Sequence, residues 1–342
     1  MVTTTAIKTD DATDHSTGWC AREGVIGLSS PCDLQHGGVL AKAQMAYRLI
    51  GNTGQPVVLA IGGISGYRRV CAEDRGWWAP VVGAGLALDP HQFQVLGVDY
   101  LGGSGDSTAP TAVQALPTLS AYDQARAIIQ VLDALAIPRL HAVVGASYGG
   151  QVALALTQLA PLRVQRALVL SVAHRSHPMA QALRSVEREI VRFGQRHQDA
   201  VGGLKLARAL AMCTYRTRRE FSERFSGAPQ LVDDRLTLPV EEYLFARGDA
   251  YVSRYRPESF LALSESIDLF SIDPTTITTP VTVVAVPEDE LVPFSDSEAL
   301  VGLLPHGRLE RLHSLFGHDA FLKEGQLLKP IFSNCLNELA GA

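Results

Sequence analysis

Residues 143–156 read VVGASYGGQVALAL. An apolar run reaches a bend at Gly145-Ala146-Ser147-Tyr148-Gly149-Gly150, and an apolar helical pattern follows. A tight strand-to-helix turn needs small residues, which is one reason for a serine here. The other reason is chemical. Gly-x-Ser-x-Gly between a strand and a helix is the nucleophile elbow, which holds a serine hydroxyl at a sheet edge. The helix behind it aims its N-terminus at the site and favours developing negative charge. The choice depends on a base and an acid appearing later in the chain.

Outward from the elbow, short apolar runs alternate with helical patterns. PVVLAIGG (56–63), FQVLGVDYLGGSG (93–105), RLHAVVGAS (139–147), VQRALVLSVA (164–173), PVTVVAV (280–286) and GRLERLHS (307–314) read as strands. AYDQARAIIQVLDALAI (121–137) has helical spacing, with Ala125, Ile128, Ile129, Leu132, Leu135 and Ala136 on one face. Continuous Val/Ile/Leu strands separated by helices imply an α/β protein, with a mostly parallel central sheet covered by helices on both faces. Between Ser176 and about Pro274 no buried strand is legible, and the stretch predicts a helical insertion. Arg184, Arg188, Arg192 and Arg196 recur there every four residues. They suit an anionic cofactor, or, with Glu187 and Glu189 interleaved, the favoured reading of a solvated helix face.

The 342 residues are 46% hydrophobic and 19% charged, as expected of a globular protein with a sizeable core. A net charge of −5 argues against nucleic-acid binding. No apolar run approaches the roughly 20 residues that span a bilayer. The polar, acid-bearing N-terminus lacks signal-peptide order, and residues 1–20 are expected to be a disordered lead-in. Five scattered cysteines with no Cys-x-x-Cys suggest reduced thiols in a cytoplasm and no metal site. The loop DYLGGSGDS (99–107) lacks the Gly-Lys-Ser/Thr of a phosphate loop and reads as a tight turn.

A serine hydroxyl needs a base oriented by an acid, and in elbow proteins the chain order is Ser, acid, His. After PVTVVAV comes Pro287-Glu288-Asp289-Glu290, and Asp289 is the preferred acid over Glu288, Glu290 and Asp296. His318, in LFGHDAFL, follows the last strand pattern and precedes an apolar helix, so it is preferred over His306 and His313. The oxyanion donors expected are the backbone amides of Tyr148 and of Gly62–Gly63.

These residues together resemble the α/β-hydrolase fold. Further stretches resemble the homoserine O-acyltransferase family of methionine biosynthesis: the Gly-Trp-Trp segment opening 76–108, AMCTYRT (211–217), VEEYLFARGDAYVSRYRPESFLAL (240–263) and GHDAFL (317–322). The resemblance runs from about residue 30 to 335. It implies a catalytic triad of Ser147, Asp289 and His318, Arg216 on the acceptor's carboxylate and Asp319 on its ammonium. It implies a hydrolase core over 21–175 and 266–342, and a helical lid over 176–265 that keeps water from an acyl-serine. It also implies acyl-CoA as co-substrate, no permanently bound cofactor and a homodimer.

The family's Gly-Gly-Ser-Met-Gly-Gly elbow is here Gly-Ala-Ser-Tyr-Gly-Gly, and Tyr148 is expected to put a bulkier polar group beside the nucleophile. Arg68 and Arg69 follow the oxyanion loop and are candidates to pair with a succinyl carboxylate, or else are solvated. The expected activity is transfer of an acyl group from CoA to L-homoserine, with acetyl slightly ahead of succinyl. The rivals are a serine esterase on the same triad, transfer to L-serine or another small hydroxyl acceptor, and a non-catalytic binding protein.

Overall fold

The computed structural model describes residues 10–14, 18–29, 32–73 and 75–337. Nine strands form one sheet: β1 (Asp10–Asp14), β2 (Trp19–Gly27), β3 (Gln44–Ile50), β4 (Val57–Ile61), β5 (Gln94–Val98), β6 (Ala142–Ala146), β7 (Ala167–Leu170), β8 (Val281–Ala285) and β9 (Gly307–Arg311). Their spatial order is β1-β2-β3-β5-β4-β6-β7-β8-β9. From β5 to β9 all neighbours run parallel, while β1, β2 and β3 add an antiparallel edge.

Alternation along each strand sends its side chains to two cores. Leu59, Ile61, Val143 and Val169 face one side, against Ala125 and Ile128 of α1 (Ala121–Ala134) and Val152 and Leu156 of α2 (Tyr148–Leu159). Val58, Ala60, Val144 and Leu168 face the other, with Trp78 and Phe332. Both faces being covered is why these strands are apolar throughout and stand out in the sequence. Helix α1 starts at a capping box: the Ser120 hydroxyl accepts from the Asp123 amide, and the Ser120 amide donates back to the Asp123 carboxylate at 2.9 Å. It ends at Ala134, before the expected 137, because Ala136 turns left-handed (φ 53°) ahead of Pro138.

The N-terminal expectation is corrected in part. Asp10–Asp14 pairs antiparallel with Trp19–Glu23, and β2 begins at Trp19, so the lead-in expected over 1–20 contains strand. Residues 1–9 and 15–17 lie outside the described residues. Between β7 and β8 lie α3 (Pro178–Arg196), α4 (Ala200–Tyr215), α5 (Arg218–Arg224), an exposed hairpin pairing Gln230–Val232 with Arg235–Thr237, α6 (Pro239–Val252) and α7 (Pro257–Asp268). Helix α7 runs through the boundary expected at 265. Helices α8 (Phe294–Leu303), α9 (Ala320–Lys323) and α10 (Gly325–Asn337) complete the chain's order. Among the described residues no helix is long and apolar enough to cross a membrane.

Candidate active site

Parallel strands end at a common rim, and the segments leaving them meet there. Gly62–Gly63 follows β4, Ser147 follows β6, Asp289 lies four residues beyond β8, and His318 follows β9 by seven. Ser147 is the residue between β6 and α2, with φ 54° and ψ −120°, a strained conformation for a residue with a β-carbon. The turn closes only around glycine. A β-carbon at Gly145 would lie 2.2 Å from the Gly149 carbonyl oxygen, and one at Gly149 would lie 2.4 Å from that of Ile61.

Ser147 Oγ lies 2.9 Å from His318 Nε2, and His318 Nδ1 lies 2.7 Å from Asp289 Oδ2. The other carboxylate oxygen of Asp289 accepts from the amides of Leu291 (2.9 Å) and Val292 (3.0 Å), which holds the carboxylate plane against the imidazole. Asp289 and His318 are both buried. Burial alone lowers the imidazole pKa, but the adjacent Asp289 charge and hydrogen bond outweigh it and hold it above the ordinary 6.5. Two competing acids are engaged elsewhere: Glu288 bonds His313 Nδ1 at 2.9 Å and accepts from the Ser314 amide, and Glu290 pairs with exposed Arg218. Asp296, at the start of α8, lines a cleft that also reaches Ser147 and His318, but His318 Nδ1 is held by Asp289. His306 lies at the opposite end of β8, where its carbonyl accepts from the Val281 amide.

Gly63 lies beside the nucleophile: a β-carbon on it would be 3.9 Å from Ser147 Cβ. The Gly62 carbonyl accepts from the Tyr100 hydroxyl at 2.7 Å. The Tyr148 amide is in the first turn of α2, where helix geometry leaves it no intrahelical acceptor. The Tyr148 side chain does not crowd Ser147. It is fully buried, stands edge-on to Tyr100, and its hydroxyl meets Ser266 Oγ at 2.7 Å. The helical direction from an outward serine turns the next side chain into the core.

A cavity of about 190 Å³ opens over Ser147, His318 and Asp319. Two arginines from the helical insertion line it, Arg184 of α3 and Arg208 of α4. The Arg208 guanidinium lies 4.9 Å from the Tyr215 ring centre and 4.7 Å from that of Tyr251. Among the described residues no carboxylate forms an ion pair with it, so a desolvated cation faces the nucleophile. Sequence reading missed Arg208. Its one signal was position: seven residues before Tyr215, it shares that residue's helix face.

Arg216 is elsewhere than expected. It does not line the cavity. Its Nε lies 3.0 Å from Asp319 Oδ2, Nη1 lies 3.3 Å from Glu220, and its guanidinium covers the Phe316 ring at 5.4 Å. It stands behind Asp319 because it leaves α4 as the cap residue, with extended backbone (φ −116°, ψ 151°). Arg68 and Arg69 are also corrected as acyl-donor contacts. Arg68 is ion-paired with Asp99 and with Asp106, Arg69 pairs with Glu23 at 3.0 Å, and neither lines a space that opens on Ser147.

The arginine series on α3 divides. Arg184 and Arg188 turn inward onto Asp268, each at 2.6 Å, while Arg196 pairs with Glu189 at the surface. Glu187 is buried among these charges, and burial pushes its carboxyl up to about 7. Among the described residues no group of three or more His, Cys, Asp or Glu side chains is placed to hold a metal ion.

The family model described as alpha/beta hydrolase fold matches residues 56–325. A homoserine O-succinyltransferase of Xanthomonas campestris pv. campestris is 43% identical over 321 residues, 92% of this chain and 84% of that protein. A serine O-succinyltransferase of Stenotrophomonas maltophilia is 33% identical over 275 residues, 72% of this chain and 74% of that protein. The crystal structure of a homoserine O-acetyltransferase from Bacillus anthracis superposes with a TM-score of 0.84 at 18% identity, covering 94% of this chain and 99% of that one. At that identity the likeness is one of fold.

Proposed function

The chain belongs to the alpha/beta hydrolase fold family and, within it, to the homoserine O-acyltransferases, and from that premise we propose that it moves a succinyl group from CoA to the hydroxyl of L-homoserine. The observation that carries the reading is the Ser147–His318–Asp289 hydrogen-bonded chain facing a cavity that holds one unpaired cation, Arg208, and one carboxylate, Asp319. An α-amino acid is a zwitterion. Its carboxylate meets Arg208 and its ammonium meets Asp319, which leaves the side-chain hydroxyl for the nucleophile's end of the cavity.

His318 Nε2 takes the Ser147 proton as Oγ attacks the thioester carbonyl. The amides of Tyr148 and Gly63 are assigned to the oxyanion. The imidazolium returns its proton to the departing CoA sulfur, leaving an acyl-serine. The acceptor hydroxyl then gives its proton to His318 and attacks the acyl carbon, and the proton passes back to Ser147 Oγ. The helices between β7 and β8 act as the lid that withholds water during the acyl-enzyme stage.

Two relatives named as succinyltransferases support succinyl over the acetyl group favoured by sequence reading. The serine O-succinyltransferase relative supports a second acceptor, L-serine, one methylene shorter. We also infer a homodimer built on the insertion, supported by exposed Met179, Val186 and Phe193 at seven-residue spacing on α3. Sedimentation velocity tests it, and a monomer at micromolar concentration removes it.

The deciding assay follows free thiol from succinyl-CoA with L-homoserine, with L-serine, and with neither. Release that requires homoserine is expected. Release indifferent to both acceptors makes the protein a thioester hydrolase, and silence under all three conditions removes the succinyl-transfer reading.

A further inference from the structure

Two spaces open on Ser147 and His318: the cavity described above and a narrow cleft of about 20 Å³ between the ends of β7 and β8. Arg184 is the cation that lines both. The cleft's walls near the nucleophile are small or apolar: Val172, Ala173, Ile267, Leu291 and Val292. They suit methylene groups, while Gln151, Ser171, Ser176, His177 and Arg175 add polar groups to the same lining and Asp296 adds a carboxylate.

The local charge does not balance within the protein. Arg184 and Arg188 share one carboxylate, Asp268, at 2.6 Å each, so the trio carries one excess positive charge. Glu187 lies next to them, and burial raises its carboxyl to about 7, so near neutral pH it cancels that excess only in part. In the zwitterion reading above, Arg208 and Asp319 are consumed by the acceptor. Arg184 and Arg175 are then the cations beside the acylated serine, and of the two Arg184 alone lines both spaces. The other arginines considered for this role, Arg68 and Arg69, are ion-paired away from the site.

We propose that Arg184 is a donor-specificity residue, whose guanidinium at the junction of the two spaces receives the distal carboxylate of a dicarboxylic acyl group delivered by CoA. The assignment rests on Ser147 being the acylated residue. Asp268 sets its reach: its Oδ1 lies 2.6 Å from both Nε and Nη2 of Arg184, which leaves Nη1 as the guanidinium nitrogen that Asp268 does not hold. A monocarboxylic acyl group of equal length leaves the cation without its anion in a desolvated site, which costs binding in the transition state.

The test measures acylation of Ser147 by intact mass, without acceptor, using succinyl-CoA, butyryl-CoA and acetyl-CoA. Butyryl has the length of succinyl and a methyl end. The wild-type protein is expected to accept succinyl at least about 10-fold better than butyryl in kcat/KM. Arg184→Gln should lower succinyl acylation about 30-fold while butyryl and acetyl change less than about 3-fold. Arg184→Lys, which keeps the charge but loses the planar fork, should fall between.

Equal loss with all three donors makes Arg184 a structural residue and overturns the assignment. So does an unchanged succinyl rate, or a wild-type protein indifferent between succinyl and butyryl. If Arg184→Gln fails to fold by circular dichroism, the wild-type donor series still decides. Failure of the wild-type protein to be acylated by any donor removes the proposed function and Arg184's role together. Acylation by all donors without preference removes only Arg184's role.

Discussion

The rim of the sheet and the helical insertion above it both contribute to the site, but in different ways. At the rim, Ser147, Asp289 and His318 leave the ends of β6, β8 and β9, and the backbone itself sets where they point. A positive φ at Ser147, two amides on Asp289 and a short 3₁₀ turn at His318 permit little rotation. In the insertion, Arg184, Arg208 and Arg216 sit on or at the ends of helices, where a shift of one residue turns a side chain by about 100°. Rim positions therefore carry local sequence signatures. Insertion positions take their roles from which helix face packs against what.

The largest effect expected from this contrast is at the rim. Ser147→Ala should reduce homoserine-dependent thiol release by about 10⁴-fold or more, with the melting temperature nearly unchanged. Transfer surviving at wild-type rate would break the comparison at once. In the insertion, Arg208→Ala should raise the acceptor KM by about 100-fold with a smaller change in acylation by the donor. Arg216→Ala, acting only through Asp319, should raise it less, by about 10-fold. A reversal of that order would return the acceptor's carboxylate to Arg216.

Glu187 measures the cost of burying charge in the insertion. A carboxyl raised from 4.5 to about 7 binds more protons in the folded than in the unfolded state between those values. Stability therefore falls as pH rises through that window and stays lowered above it. Glu187→Gln removes this dependence, so relative to wild type the variant should gain roughly 3 kcal/mol between pH 4 and pH 8 in urea melts. Parallel pH curves for the two proteins would show that folding leaves the Glu187 carboxyl at its ordinary pKa.

The smallest effect is again at the rim. His318 must be neutral to take a proton, and Asp289 holds its pKa above 6.5. The acidic limb of kcat/KM for the donor should therefore lie above that value and move down in Asp289→Asn. A limb below 6.5 in the wild type would mean burial outweighs the carboxylate.

The fold was legible where burial is two-sided. The strands over 57–61, 94–98, 142–146, 167–170 and 281–285 are apolar but for Gln94 and Thr282, because helices cover both faces. Strands β2 and β3 were not read. β2 (WCAREGVIG) is antiparallel and half-buried, and its charges obscure its period. The elbow, Asp289 and His318 could be picked out by chain order and by their places after strands. Tyr148 was identified but its direction was misread. Arg216 was named for the acceptor's carboxylate, and it lies behind Asp319, outside the lining of the cavity.

What the sequence determined by itself was the parallel part of the sheet and the identity of three residues leaving its strand ends, because apolar continuity and strained turns are local properties of the chain. The tertiary structure decided which arginines face the nucleophile. Chain order holds nothing that tells Arg184 and Arg208 from Arg68, Arg69 and Arg216. An arginine's availability is the balance between desolvation and whatever carboxylate lies within about 4 Å, and those carboxylates arrive from distant segments. Asp268 reaches Arg184 from 84 residues away, Asp99 takes Arg68, and Arg208 is left to two tyrosine rings and the open cavity.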